Sequence, residues 1–519
     1  YGSDAMGGVI NIITKKANKE HASIGAHTGT KEMGTNFYYS SGRQGKVSVK
    51  ASGGIEDVRK EVSGYYNKTK GYDTNSSNMY GPRRFLNLGF DYAFDANRGL
   101  ALDLNFMREQ FTSNSSEGTD KGVYNYDNNR SDYALTYYGK DNKNDYNLRM
   151  YYNTLKKSNV TNENNAITDF DHTSYDTLVF EGKNSMKLND KNTMTYGAEW
   201  TTTNMRGTRF GGGGDNKYSE TFAGITKAGS EKDVDTYAAY LQDEWKITDK
   251  WLLIPAVRFD HHNAFGSHTS PKIGTTYSFS DNSRFKVNYG KSFRAPTVYE
   301  LYSTMDKRMG MMNVQVLGNP DLKPEKATNF DIGFEAEQGK WSGKLGYYHN
   351  EIDNLIDSDM FYRGYVPGVG MVVKSKYYNV GEAEISGAEA EVGYNFNDNW
   401  NVKATYNYTD AKDKTTNARL NNRARQNGVV QLSYTDNAEL PFTATLWSKW
   451  YVDYLYKVSS NVNTYTFNTF NFVADKQITK NLHVYAGVDN IFDKTLPYDE
   501  NHSYTIDGRT WRVGAEMTF

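Results

Sequence analysis

The chain has no cysteine in 519 residues. That excludes a disulfide framework and any thiolate metal site. Long apolar runs are also missing. Mean hydropathy is -0.77, and no stretch approaches the roughly 18 apolar residues that a membrane helix needs. An excess of either charge is lacking too, since 60 Lys+Arg face 62 Asp+Glu for a net charge of -2. Such a balance leaves no electrostatic footprint for nucleic acid. The start at Tyr1 shows neither a charged leader nor an apolar one, so a processed chain or a fragment is expected. Tyrosine, by contrast, is abundant: 42 residues, within an aromatic content of 14%. Low hydropathy with many tyrosines still permits a membrane protein. Barrel strands alternate lipid-facing and lumen-facing residues, and aromatic girdles mark both membrane interfaces.

Period-two alternation recurs along the chain. In the last segment Trp511, Val513, Ala515, Met517 and Phe519 share one face. Leu86, Leu88, Phe90, Tyr92 and Phe94 do so earlier, followed by Leu100, Leu102, Leu104 and Phe106. A soluble sandwich would alternate as well, so the connections decide. Short polar turns, such as Asp95 to Arg98, Asn189 to Lys191 and Asn397 to Asn399, take strict turns with longer loops. The long ones run from Asp57 to Arg83, Gln110 to Asn129, Met205 to Asp233 and Arg294 to Ala327. Outer-membrane barrels have this asymmetry, with short periplasmic turns and long external loops. The pattern predicts an all-β, transmembrane antiparallel β-barrel of about 22 strands, from one over 22–29 to one over 510–519 and including one over 376–396. A barrel that wide needs a plug. Residues 1–20 are read as the C-terminal remnant of a plug domain, and residues 21–519 as the barrel.

Three motifs point to one family. The opening run Tyr1-Gly2-Ser3-Asp4-Ala5-Met6-Gly7-Gly8-Val9-Ile10-Asn11 pairs small residues that allow a tight turn with a short apolar β segment. The second is Phe293-Arg294-Ala295-Pro296 with Asn319-Pro320-Asp321-Leu322-Lys323-Pro324-Glu325, and the third is the closing segment that ends in Phe519. Together these resemble TonB-dependent receptors: the plug end, the paired boxes around one large external loop, and the terminal aromatic read by the assembly machinery. The resemblance implies energised import across the outer membrane of a diderm bacterium. It implies coupling to the TonB–ExbB–ExbD complex through an N-terminal segment not seen here, contact with outer-membrane lipid, and possible secondary use by phage or bacteriocins. No cofactor and no catalytic residue is expected. No nucleophile elbow, zinc-binding His-Glu helix motif or nucleotide loop occurs in the chain.

The expected cargo is an iron chelate, a ferric siderophore first, with haem or cobalamin as the alternative. Haem receptors of this type often carry a histidine between the two boxes. The segment Thr297 to Leu317 has none and offers Tyr299, Tyr302, Met305, Arg308, Met309, Met311 and Met312. Thioethers can ligate haem iron or soft metals, but they equally supply adaptable apolar contact. His261, His262 and His268 could meet an iron centre, although adjacent residues of a strand point to opposite faces; no resident metal site is expected. External arginines, Arg206 and Arg209 among them, could grip an anionic chelate. The run Gly211 to Gly214 reads as a flexible loop tip. A passive porin is the rival of another class. An intact gated receptor is expected to pass no large constitutive current in a planar bilayer, and such a current would establish the porin instead.

Overall fold

The computed structural model describes residues 17, 19–68, 70–309, 312–367, 370–379, 381–458, 461–499, 502 and 504–519. The motif residues Tyr1, Gly2, Asp4, Gly7, Gly8 and Asn11 lie outside them. Among the described residues one antiparallel sheet of 25 strands dominates. Three of these, Val62–Asn67, Tyr72–Ser77 and Asn216–Phe222, belong to hairpins at the long-loop end. The other 22 form the wall, in the number expected. The first strand, Glu20–Gly29, pairs with the last, Thr510–Thr518, in register from Ser23 opposite Thr518 to Gly29 opposite Arg512. The Phe519 amide donates to the Ala22 carbonyl at 2.9 Å just beyond. Closure leaves no edge, which is the condition for strands to exist in hydrocarbon.

Alternation sorts the side chains as expected. On strand Arg98–Glu117 the residues Leu100, Leu102, Leu104 and Phe106 stand opposite Tyr92, Phe90, Leu88 and Leu86 on the lipid side. Asp103, on the other parity, ion-pairs across the lumen wall with Lys50 at 3.1 Å. At the short-turn end the rings join into a girdle. Tyr92, Phe94, Tyr137 and Tyr146 follow one another at 5.6, 6.2 and 6.0 Å. Trp341, Tyr394 and Phe396 continue it at 4.5 and 5.1 Å. The turns beneath use one device: Asp95, Asp141, Asn189 and Asn397 each accept two backbone amides two and three residues ahead, at 2.8–2.9 Å. These side chains mimic a backbone turn, which explains why acidic and amide residues recur there.

The external side departs from the sequence expectation. The segment Gln110 to Asn129 is a paired extension of strands Arg98–Glu117 and Asp120–Lys140, with a turn at Gly118 and Thr119. Its partner strands Asn144–Glu163 and Ala166–Lys187 turn at Asn164 and Asn165, both at positive φ. About ten residues beyond the apolar belt project roughly 30 Å outward. Both faces meet water there, so the apolar stripe that marks a strand in sequence is absent. The expected strand over 376–396 is two elements. Gly370–Asn379 belongs to a separate four-stranded sheet, and Glu382–Asn395 to the wall, with Gly381 at φ +56° between them.

Because closure rests on the Thr510–Thr518 ladder, Val513→Pro removes an amide from the seam in a place where water cannot replace it. The expected outcome is loss of the folded, fast-migrating band on unboiled gels, while Val513→Thr retains it.

Candidate functional site

The two boxes meet above the wall and hold the largest loop. Thr297 caps a short helix, Val298–Tyr302, through a reciprocal capping box with Glu300. Arg294 then reaches two carboxylates at once. Its Nε and Nη2 donate to Glu325 at 2.6 and 2.8 Å, and Nη1 and Nη2 donate to Glu300 at 3.0 and 3.2 Å. Glu325 is 3% exposed and also accepts the Ile356 amide at 2.7 Å. Two bidentate pairs on one guanidinium fix direction as well as charge. Asn319 donates to the Tyr377 carbonyl at 3.0 Å and its own amide binds Glu300 O at 2.8 Å. Leu322 is buried with Leu301 and Ile356. Phe293 is buried and stacks on His268 at 4.7 Å; Pro296 and Pro324 are buried as well, and Pro320 is exposed. The family boxes thus form a clamp that ties three segments to the barrel rim.

Above the clamp the loops zip into the small sheet. Thr304–Met309 pairs with Met312–Leu317, which runs parallel to Gly370–Asn379, and Ile356–Val366 completes the order. Met311 and the side chains of Arg308, Met309 and Met312 lie outside the described residues. Met305 accepts the Tyr299 hydroxyl through Sδ at 3.4 Å. Of the run Gly211 to Gly214, expected as a flexible tip, Gly212 is open and exposed while the other three are closely packed. A Cβ at Gly211 would come within 1.7 Å of Thr304 Oγ1, one at Gly213 within 2.0 Å of the Tyr302 carbonyl, and Gly211 has φ +44°. Only glycine lets the two backbones approach so closely.

Beside this hood, near the outer ends of strands Ala166–Lys187 and Ile225–Thr248, lies a charged network that the sequence reading missed. Lys227 donates to Asp169 and Asp171 at 3.0 Å each, and Thr208 Oγ1 donates to Asp171 at 3.1 Å. Arg209 Nε lies 3.5 Å from Asp171, yet that N–H makes no hydrogen bond among the described residues. The Arg209 charge acts on three phenols, Tyr126, Tyr175 and Tyr299. Tyr126 and Tyr175 have the lumen-facing parity of their strands. Burial pushes the Tyr299 phenol up to about 12, so it stays a neutral donor at any physiological pH. The one sequence signal for this cluster was Arg209 itself, because the two aspartates fell in an expected loop.

The histidines do not converge. His261 points outward to Ser267 Oγ at 3.0 Å, and its neighbour His262 points inward, packs on Phe265 at 4.3 Å and accepts the Ala264 amide on Nδ1. His268 is occupied by Phe293. Tyr302 packs into both loop clusters beneath the Lys232 ammonium.

A family model described as "TonB dependent receptor-like, beta-barrel" matches residues 21–491. The ferrienterobactin receptor of Escherichia coli K12 is 24% identical over all of this chain and 79% of its own length. Two solved structures share the fold over the whole chain. The ferric enterobactin receptor of Pseudomonas aeruginosa in complex with enterobactin has a TM-score of 0.81 at 17% identity, covering 84% of that chain. The siderophore receptor PirA of Acinetobacter baumannii has 0.78 at 18%, covering 83%.

Glu325→Ala strands the Ile356 amide and half of the Arg294 fork, a loss of about 3–5 kcal/mol for breaking a buried pair. Limited proteolysis is expected to cut the small sheet at least tenfold faster in the variant, with the folded gel mobility of the barrel unchanged.

Proposed function

This chain belongs to the TonB-dependent receptor-like β-barrel family, and we propose that it imports a ferric siderophore across the outer membrane under the drive of the TonB–ExbB–ExbD complex. The observation that carries this reading is Arg209, a partly exposed guanidinium beside the hood, whose neighbour Phe210 packs with Tyr175 and Tyr299. A ferric catecholate is a compact anion with a rim of oxygens. A guanidinium supplies charge-assisted bonds to those oxygens, and neutral phenols add donors and flat apolar contact. The relatives named for enterobactin support the same class. Haem fits the site less well: the loop Thr297 to Leu317 holds no histidine, and His261 and His262 face opposite ways.

In this proposal Arg294, Glu300 and Glu325 position the hood and do not touch cargo. Asp169, Asp171 and Lys227 hold Arg209 in place. The full-length receptor, expressed in an iron-starved strain lacking its own siderophore receptors, is expected to restore uptake of radiolabelled ferric enterobactin. Arg209→Ala is expected to weaken binding of that chelate about tenfold or more, the worth of one charge-assisted bond, with Arg209→Lys intermediate. Uptake confined to cobalamin or haem, with no ferric siderophore transported, would overturn the reading.

A further inference from the structure

Two sheltered histidines brace the clamp, and neither has a part in the cargo contact proposed above. They flank the short connection between strands Trp251–His262 and Gly266–Ser280. His262 is buried and accepts the Ala264 amide on Nδ1 at 3.0 Å. That bond requires an unprotonated Nδ1. The ring packs on Phe265 at 4.3 Å. Phe265 in turn packs against Leu301, Leu322 and Ile356, the apolar side of the clamp. His268 stacks on Phe293 at 4.7 Å and 23°. Phe293 is buried and directly precedes Arg294, the guanidinium that holds Glu300 and Glu325. Each histidine therefore reaches the hood through one phenylalanine.

A second partner stands open to His268. Asp260 lies directly opposite it in register and is 3% exposed. Arg258 Nε donates to Asp260 Oδ1 at 2.8 Å, while Oδ2 is buried and accepts no bond among the described residues. His268 Nε2 is likewise buried and unbonded there. Unbonded buried polar atoms are costly and rare; two of them on opposed residues of one strand pair are a contact not yet made. A neutral ring gains most from the Phe293 face. An imidazolium gains more from the carboxylate, through a charge-assisted bond to Oδ2.

The surroundings keep both rings neutral while the clamp is made. Burial, helped by His261 and His268, brings His262 down to about 4 against the pull of Asp235 on strand Ile225–Thr248. Burial and the Lys326 ammonium hold His268 below the ordinary histidine range, against Asp260. Lys326 belongs to strand Glu325–Gln338 and stands opposite Phe293. The other charges at hand, Arg258, Arg294, Glu300 and Glu325, are already paired.

We propose that His262 and His268 form an acid-sensitive release for the hood. Neutral, they hold Phe265 and Phe293 against the clamp; protonated, they let both go, and His268 passes to Asp260. Opening returns the rings to water and to the ordinary histidine value of 6.5. The closed hood therefore binds fewer protons than the open one, and falling pH favours opening. The advantage of the closed form is complete above about 6.5 and is lost as pH falls from there towards about 4. The release acts on the hood itself and is independent of the cargo.

Because the chain has no cysteine, two spin labels can be introduced without background. One goes on the hood at Tyr365, 71% exposed on strand Ile356–Val366, and one on the wall at Val430, exposed on strand Arg423–Thr435. Double electron–electron resonance of the full-length Y365C/V430C receptor in detergent is expected to give one narrow distance distribution at neutral pH. A second, broader population should grow below about pH 6.5. His268→Phe keeps the stack without a titratable ring, and His262→Asn keeps an acceptor for the Ala264 amide. With both changes the narrow distribution should persist across the same range. Asp260→Asn retains an acceptor for Arg258 but withdraws the anion that receives His268, so the transition should move to lower pH. The proposal is overturned by a single narrow distribution throughout in the unaltered background. It is equally overturned by the same transition in H262N/H268F, which would trace opening to Glu300 and Glu325, or by a transition left in place or raised in D260N. Unboiled gel mobility checks that each variant is folded.

Discussion

Everything in this molecule depends on one hydrogen-bonded seam. In hydrocarbon an unpaired backbone amide loses several kcal/mol with no water to replace its partner. The wall therefore has to close, and it closes between Glu20–Gly29 and Thr510–Thr518. Residues from the two ends of the barrel sequence become neighbours in one ladder. Once the ring is shut, strand parity decides which side chains meet lipid and which line the lumen. The girdle of Tyr92, Phe94, Tyr137 and Tyr146 and the lumenal pair Lys50–Asp103 both follow from it.

The seam leaves the external side unconstrained, and a second interaction organises it. Arg294 joins Glu300 and Glu325, and Glu325 in turn holds the Ile356 amide. One buried fork thereby connects two consecutive long loops and a capped helix. With that clamp in place, Gly211 and Gly213 can pack against Thr304 and Tyr302, and Arg209 is held beside the hood. The rigidity of the rim and the geometry of the proposed cargo contact thus have one origin.

Much of the architecture was legible in advance. A strand crossing the apolar belt must alternate, so Leu100 to Phe106 announced itself. Asp95, Asn189 and Asn397 marked turns because their side chains replace backbone acceptors. Above the belt the rule fails: strand extensions such as Ser113 to Glu117 face water on both sides, and no hydrophobic period records them. The break after Asn379 was hidden for a related reason. Residues 376–379 run on in pattern into the wall strand, and only their partners place them in a different sheet.

The site divides in the same way. The boxes around Arg294 and Glu325 were readable as motifs, but their role as a clamp needed the distances. The Gly211 to Gly214 run looked like slack because sequence does not show what packs against a missing side chain. Asp169 and Asp171 stand two apart on one strand, but Lys227 comes from a different hairpin, and no spacing in the sequence links it to them. Sequence alone therefore determined the barrel, its strand number, its sidedness and its family, since these follow from local periodicity, turn chemistry and motif. Tertiary structure alone decided the clamp and the setting of Arg209, since each depends on which strands the closed ring makes adjacent.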